Sequence, residues 1–488
     1  MLLADVRPGP DGVLPESFVR FGDRVHFFGF GGGGEPQVWK TDGTEAGTLP
    51  APEMQPLGLA NRPYQLVAAG DTMFIGLLEG DGPERFLWVT GGAPESAVAL
   101  TGGQSPRQLT PHHGVLLYSL FSPGQQVWRS DGFAAGTYQV EDVNQAWTNE
   151  CPFPPCFGPP ITSPDHLVSS GPWVYFLAFE SPLESQLWRT DGTAEGTRVA
   201  GGFDEAPRQL TDLAGTLLFV GFDDETGWEP WRSDGTPAGT RLVVDLVPGA
   251  GSSEPEQLTR AGDHVYFVLR GEDEEYQLWR TDGTAAGTVL LSELRIRGSG
   301  SRGGLLAASG KRRFFTAENP RTGEELWVSD GSDAGIHLVT DLLPGPVGAR
   351  PRHLTAAGGG VLFAADDGVH GQEVWYSDGS AAGTRLVADV APGLDGSDPS
   401  DFTVVGGRVF FAAGDAELAA SSSLSTPAPP ASASAHFARR PGEPPESAAP
   451  RSSNAGADRE SNPRALPVAG PRHVPLTALR NLARRILS

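Results

Sequence analysis

The chain has 488 residues, 39% of them hydrophobic, with 65 glycines, 43 prolines and a formal net charge of -24. It can bury a sizeable core, and its glycine and proline content predicts many turns and few long helices. The acidic surface disfavours nucleic acid as a partner of the main body, because it repels phosphate. No run of about 18 apolar residues occurs, so no transmembrane segment is expected.

The chain opens on "MLLADVRPGPDG", which has neither the basic start nor the apolar stretch of a signal peptide. A phrase then recurs: Leu187–Thr197 reads "LWRTDGTAEGT" and Leu278–Thr288 reads "LWRTDGTAAGT". Its tryptophans are Trp39, Trp88, Trp128, Trp188, Trp231, Trp279, Trp327 and Trp375, spaced 40 to 60 residues apart and 48 apart over the last three intervals. Such a period indicates a solenoid, a propeller or another β array. The unit around Trp88 lacks the Asp-Gly of the phrase and reads as a degenerate blade. The longest interval holds "CPFPPCF", where Cys151 and Cys156 form a candidate disulfide of an oxidising compartment or two free thiols of a surface insertion.

The unit from Pro351 shows the internal plan. "HLTAA", "VLFAA", "EVWYS" and "TRLVADV" read as four short strands separated by turn residues. Four antiparallel strands per repeat predict a propeller blade, and the fold class is all-β with eight or nine such blades. Asp stands three residues after Trp at Asp42, Asp131, Asp191, Asp234, Asp282, Asp330 and Asp378, and Gly follows each. Asp can close a turn with its own carboxylate, and Gly accepts positive φ. Trp39, Trp128, Trp188, Trp231, Trp279, Trp327 and Trp375 are expected to wedge between blades.

Gln37, Gln126, Gln186, Glu229, Gln277, Glu325 and Glu373 lie two residues before Trp, on the same strand face. They read either as a ring of polar ligands or as bonds to a neighbouring blade's backbone. The second reading is preferred, because a catalytic group is normally unique while these recur. No HExxH, GxSxG, Walker or Rossmann pattern occurs, so no catalytic residue is assigned. His112 and His113 read as a surface pair in a loop. The acidic turns at 222–229, 271–276 and 365–373 offer oxygen ligands for calcium but do not follow the EF-hand spacing. No other cofactor is expected.

"EELWVSDGSDAG" (Glu324–Gly335) and "QLWRTDGTAEGT" resemble the bacterial ELWxxDGT repeat family over roughly residues 1–416. Pro230, standing for Leu, and the Trp88 unit depart from its pattern. The resemblance implies a β-propeller-like array in an exported or surface protein and carries no catalytic residues.

The ends of the repeat region are complementary. "LLADVRPG" (Leu2–Gly9) matches the fourth strand of a unit, and "DFTVVGGRVFFAAGD" matches the first two. They are expected to pair and close the ring, unless the chain start is set too late and a leader is missing. Residues 417–475 are Ala/Pro/Ser/Arg-rich and expected to be disordered. Residues 476–488 form a short basic amphipathic segment. The expected protein is a monomeric, non-enzymatic propeller of the cell envelope or exterior that binds a protein or glycan partner. The alternatives are a hydrolase or lyase with a site at the central channel, and a calcium-binding surface repeat protein.

Overall fold

The computed structural model describes residues 15–30, 36–51, 61–79, 85–91, 98–101, 106–120, 126–141, 165–181, 184–270, 276–292, 306–310, 312–331, 335–405 and 408–414. Cys151, Cys156, the N-terminal "LLADVRPG" and both tail segments lie outside these residues.

Eight four-stranded antiparallel sheets follow one another, each with its strands side by side in chain order, and together they form a β-propeller. The blades span 16–50, 61–101, 106–141, 165–203, 208–242, 256–292, 306–338 and 352–388. A two-stranded ninth unit, Ser400–Val405 with Arg408–Ala412, follows them. The unit read from Pro351 forms strands Arg352–Ala357, Gly360–Asp366, Gln372–Ser377 and Arg385–Ala388. The second unit keeps all four strands without its Asp-Gly.

Burial explains the apolar runs. The second strand of each blade is covered on both faces, so "LLFV" at 217–220 and "VYFV" at 265–268 are apolar throughout rather than alternating. All but one of the core clusters among the described residues span two neighbouring sheets, the exception being Phe27 and Trp39 within blade 1. One joins Phe314 and Leu326 of blade 7 to Val361 and Phe363 of blade 8. Another joins Val25 of blade 1 to Phe410 of the ninth unit and so closes the circle. The repeated Trp lies opposite an aromatic of the second strand, as in Phe27 with Trp39, Phe267 with Trp279 and Phe363 with Trp375. Phe267 and Trp279 stack with centroids 6.4 Å apart. Trp39, Trp327 and Trp375 are buried, while Trp279 is half-buried.

The rest of the phrase builds one turn. Asp282 Oδ1 accepts the Thr284 N–H at 2.9 Å and the Thr284 hydroxyl at 2.6 Å. Thr284 Oγ1 accepts the Gly287 N–H at 3.0 Å. Thr281 and Thr288 share a hydroxyl hydrogen bond at 2.7 Å, and Thr281 Oγ1 also accepts the Gly283 N–H at 2.9 Å. Thr44, Thr193, Thr236 and Ser380 repeat the Asp contact at Asp42, Asp191, Asp234 and Asp378. Two residues after Asp131 stands Phe133, which has no hydroxyl, and its N–H alone binds the carboxylate. The hydroxyl bond holds the Asp282 carboxyl below its ordinary range.

The two glycines serve different needs. Gly283 has φ +84°, whereas a Cβ on Gly287 would lie 2.1 Å from the Asp282 carboxyl carbon. The second glycine is therefore demanded by the folded-in carboxylate. The turn also receives the preceding blade. Arg232, one residue after Trp231, donates to the Gly283 carbonyl at 3.1 Å, and Arg280 donates to that of Gly331. Blade 7 has Val328 after its Trp, and Arg312 of its second strand reaches the Asp378 carbonyl instead. Arg408 of the ninth unit does the same to Asp42.

Trp327→Ala is expected to destabilise by about 3–5 kcal/mol and Asp282→Ala by about 0.5–2 kcal/mol. Gly287→Ala should cost more in the wild type than in the Asp282→Ala background, a coupling read from a double-mutant cycle of urea melts. Equal costs in both backgrounds would show that the carboxylate is not what excludes the methyl group.

Candidate functional site

Each first strand contacts the first strand of the next blade, and Glu16–Phe21 contacts Ser400–Val405, so nine first strands ring the propeller axis. Most carry a bulge at one level. Ser17, Gln108, His166, Gln209, Gln257, His353 and Asp401 stand there with φ between +53° and +58°. The bulge tilts the side chain toward the next blade. Gln108 Oε1 accepts the Leu167 N–H at 2.8 Å, and Gln209 Oε1 accepts that of Leu258 at 3.0 Å.

At the other end of this ring, blades 3 and 4 meet through His112 and Ser169. His112 is the last residue of the strand Pro106–His112 and is 4% exposed. It is therefore not the surface loop residue expected, while His113 is exposed. His112 Nδ1 lies 2.8 Å from Ser169 Oγ, and Nε2 lies 3.2 Å from the Pro172 carbonyl oxygen. A carbonyl only accepts, so Nε2 carries the proton and donates to Pro172. In the neutral ring Nδ1 then accepts from the Ser169 hydroxyl. Burial pushes the His112 pKa below its ordinary value, which keeps the ring in this neutral form. Ser169 is half-buried, and the His113 ring sits edge-on to His112 with centroids 4.2 Å apart.

The next junction carries charge. Ser170 Oγ donates to Asp212 Oδ1 at 2.7 Å, and Arg260 forms an ion pair with the other oxygen of Asp212. None of these groups belongs to the repeat. Aligned on the bulge residue, His112 corresponds to Leu213 and Ala261, and Ser169 to Asp212 and Arg260. The signal available in the sequence was thus a departure from the repeat, across 57 residues of chain.

The recurring Glu positions do a different job. Glu229, Glu325 and Glu373 are 0–1% exposed. Glu229 accepts the N–H groups of Leu246 and Ser253 and the Ser253 hydroxyl, at 2.6–3.1 Å. Glu373 likewise accepts from Val390, Ala391 and the Ser397 hydroxyl, at 2.7–3.0 Å. These donors lie in the linkers that begin "DLVPG" and "DVAPG" and lead to the next blade. Glu325 anchors "DLLPG" through the N–H groups of Leu343 and Ala349, and Ala349 stands where the other two linkers have serine. The units with Gln37, Gln126, Gln186 and Gln277 have no such linker. Desolvation raises all three Glu pKa values, and Glu325, which lacks the serine hydroxyl, reaches about 7.

The acidic turns close on themselves. Asp223 Oδ1 accepts the Glu225 N–H, and Asp367 binds the Val369 and His370 N–H groups and the His370 ring. The turn at 271–275 lies outside the described residues. Among the described residues, no group of three or more His, Cys, Asp or Glu side chains converges on a metal position. No helix among them is long and apolar enough to cross a membrane.

No family model matches the chain, and no curated protein sequence matches it. Solved structures do resemble its fold. A puromycin hydrolase is 17% identical with a TM-score of 0.36, over 76% of this chain and 59% of that one. A prolyl oligopeptidase B from Galerina marginata is 11% identical with a TM-score of 0.42, over 68% and 52%. The β-propeller domain of the Trilobed protease from Pyrococcus furiosus is 10% identical with a TM-score of 0.33, over 67% and 98%. The chain spans less than two thirds of the length of the puromycin hydrolase and of the prolyl oligopeptidase. At these values the likeness is one of fold. The expectation of a non-enzymatic binding or scaffold module is corrected in that none of these structures supports it. What the chain itself shows is a hydrogen-bonded Ser–His pair on its inner ring.

The Glu325 geometry sets a pH dependence. Its folded pKa of about 7 exceeds the ordinary 4.5, so the folded state binds the proton more tightly. This contribution is full below pH 4.5 and is lost as pH rises toward 7, in total on the order of 3 kcal/mol. Ala349→Ser supplies the missing hydroxyl and should flatten the difference. Melting temperatures of variant and wild type, compared from pH 4 to 8, should diverge in favour of the variant as pH rises. Parallel curves would remove Glu325 as the titrating group.

Proposed function

We propose that the chain is a serine-type hydrolase acting on acyl compounds, with Ser169 as nucleophile and His112 as general base. The observation that carries this reading is the 2.8 Å contact between Ser169 Oγ and the bare Nδ1 of a neutral, buried His112. A serine hydroxyl is a weak nucleophile until an adjacent base takes its proton. The Pro172 carbonyl, by fixing the proton on Nε2, selects the tautomer and orients the ring. In the first step Ser169 Oγ bonds to the carbonyl carbon of an ester or amide while its proton passes to Nδ1. The tetrahedral adduct collapses, His112 returns the proton to the leaving oxygen or nitrogen, and an acyl-serine remains. Water, deprotonated by the same nitrogen, then releases the acid and restores Ser169.

The test uses p-nitrophenyl acetate turnover and a fluorophosphonate probe with peptide-level mass spectrometry. Ser169 is expected to be the labelled residue. Ser169→Ala should abolish labelling, and His112→Gln should lower turnover by about 10²–10⁴-fold. Both variants should remain folded by circular dichroism, and Ser170→Ala should retain turnover. Turnover should rise with pH and level off below the ordinary histidine value. Absence of labelling at Ser169 in the folded wild type would reduce the pair to a tie between blades.

A further inference from the structure

Toward the start of the first strands, at the opposite end from the level of Ser169, blades 5 and 6 line a cleft of about 360 Å³. Arg208, Trp228, Val220, Glu254 and Glu256 are among its walls. The Arg208 guanidinium carbon lies over the Trp228 indole, 3.8 Å from the ring centroid. A guanidinium held over an indole restrains the arginine while its N–H groups can still face a carboxylate. Glu254 is set at the rim by a φ of +46° and by its N–H bond to the Trp228 carbonyl at 3.1 Å. Among the described residues, Arg208, Glu254 and Glu256 carry no ion pair with one another or with any other group.

The indole is specific to this junction. The corresponding residue is Glu324 in blade 7 and Gln372 in blade 8, although both blades share the linker type. The cleft thus combines one preoriented cation, two carboxylates and an apolar wall of indole and Val220. A simple anion would face the two glutamates, and a simple cation would face Arg208. A molecule bearing both charges a few ångströms apart, with an apolar side chain, satisfies all three.

We propose that this cleft binds a free α-amino acid, its carboxylate on Arg208, its ammonium on Glu254 and Glu256, and its side chain against Trp228 and Val220. The site does not depend on the hydrolase reading, and it lies away from Ser169 and His112.

The full chain is titrated with L-phenylalanine, N-acetyl-L-phenylalanine and L-phenylalaninamide, followed by tryptophan emission and by calorimetry. L-Phenylalanine should bind saturably, and each capped derivative, lacking one charge, about tenfold or more weakly. Arg208→Gln should weaken L-phenylalanine about tenfold and remove its advantage over the amide. Glu256→Gln should reduce the advantage over the N-acetyl compound, and Ser169→Ala should bind as the wild type does. Equal binding of free and capped forms, or no saturable signal for L-phenylalanine, would overturn the proposal.

Discussion

The propeller depends on a carboxylate that folds back onto its own turn. In the repeated phrase the Asp accepts the N–H and hydroxyl of the residue two positions on, and this closes the connection between third and fourth strands. The closed turn then presents a main-chain carbonyl outward at a fixed place. An arginine of the preceding blade donates to that carbonyl at Gly283, Gly331, Asp378 and Asp42. One local interaction thereby sets both the shape of a blade and its attachment to the next. This accounts for the phrase recurring as a block, since Asp, Thr, both glycines and the Arg after Trp each meet a demand created by another.

Against so regular a frame, both proposed sites stand where repetition fails. Leu213 and Ala261 fill with apolar atoms the position that His112 occupies in blade 3. Buried imidazole needs partners for both nitrogens, and it finds a hydroxyl on one side and a carbonyl on the other. Trp228 is likewise a single departure, standing where related blades have a polar side chain. The contrast with Glu229, Glu325 and Glu373 is instructive. They too are buried titratable groups with shifted pKa values, but their carboxylates are tied to linker N–H groups and serve the connection to the next blade.

The blade plan was legible because its causes are local. Strand alternation, the Asp-Gly turn and the apolar second strand all act within about 48 residues of one another. The reason for the second glycine was not, because it lies in the path of a carboxylate folding over from five residues earlier. Nor was the difference between Glu and Gln before the tryptophan, which follows the type of linker leaving the blade. The Ser169–His112 pair was hidden for a further reason. The two residues meet only because adjacent first strands lie side by side, and neither sits in a motif that marks it.

The contact between Arg408 and Asp42 joins residues 366 positions apart, whereas the other clasps of this kind reach only 51 to 66. Chain connectivity therefore gives the ring two kinds of entropy cost. Each blade, and each step from one blade to the next, closes a short loop and can form as soon as its residues are made. The seam between the ninth unit and blade 1 closes a loop of nearly the whole propeller and completes last. Until then the first and last sheets expose the faces that Val25, Phe18 and Phe410 later cover. The folding intermediate with the greatest tendency to associate with a second copy is thus a nearly finished propeller, open at this one seam.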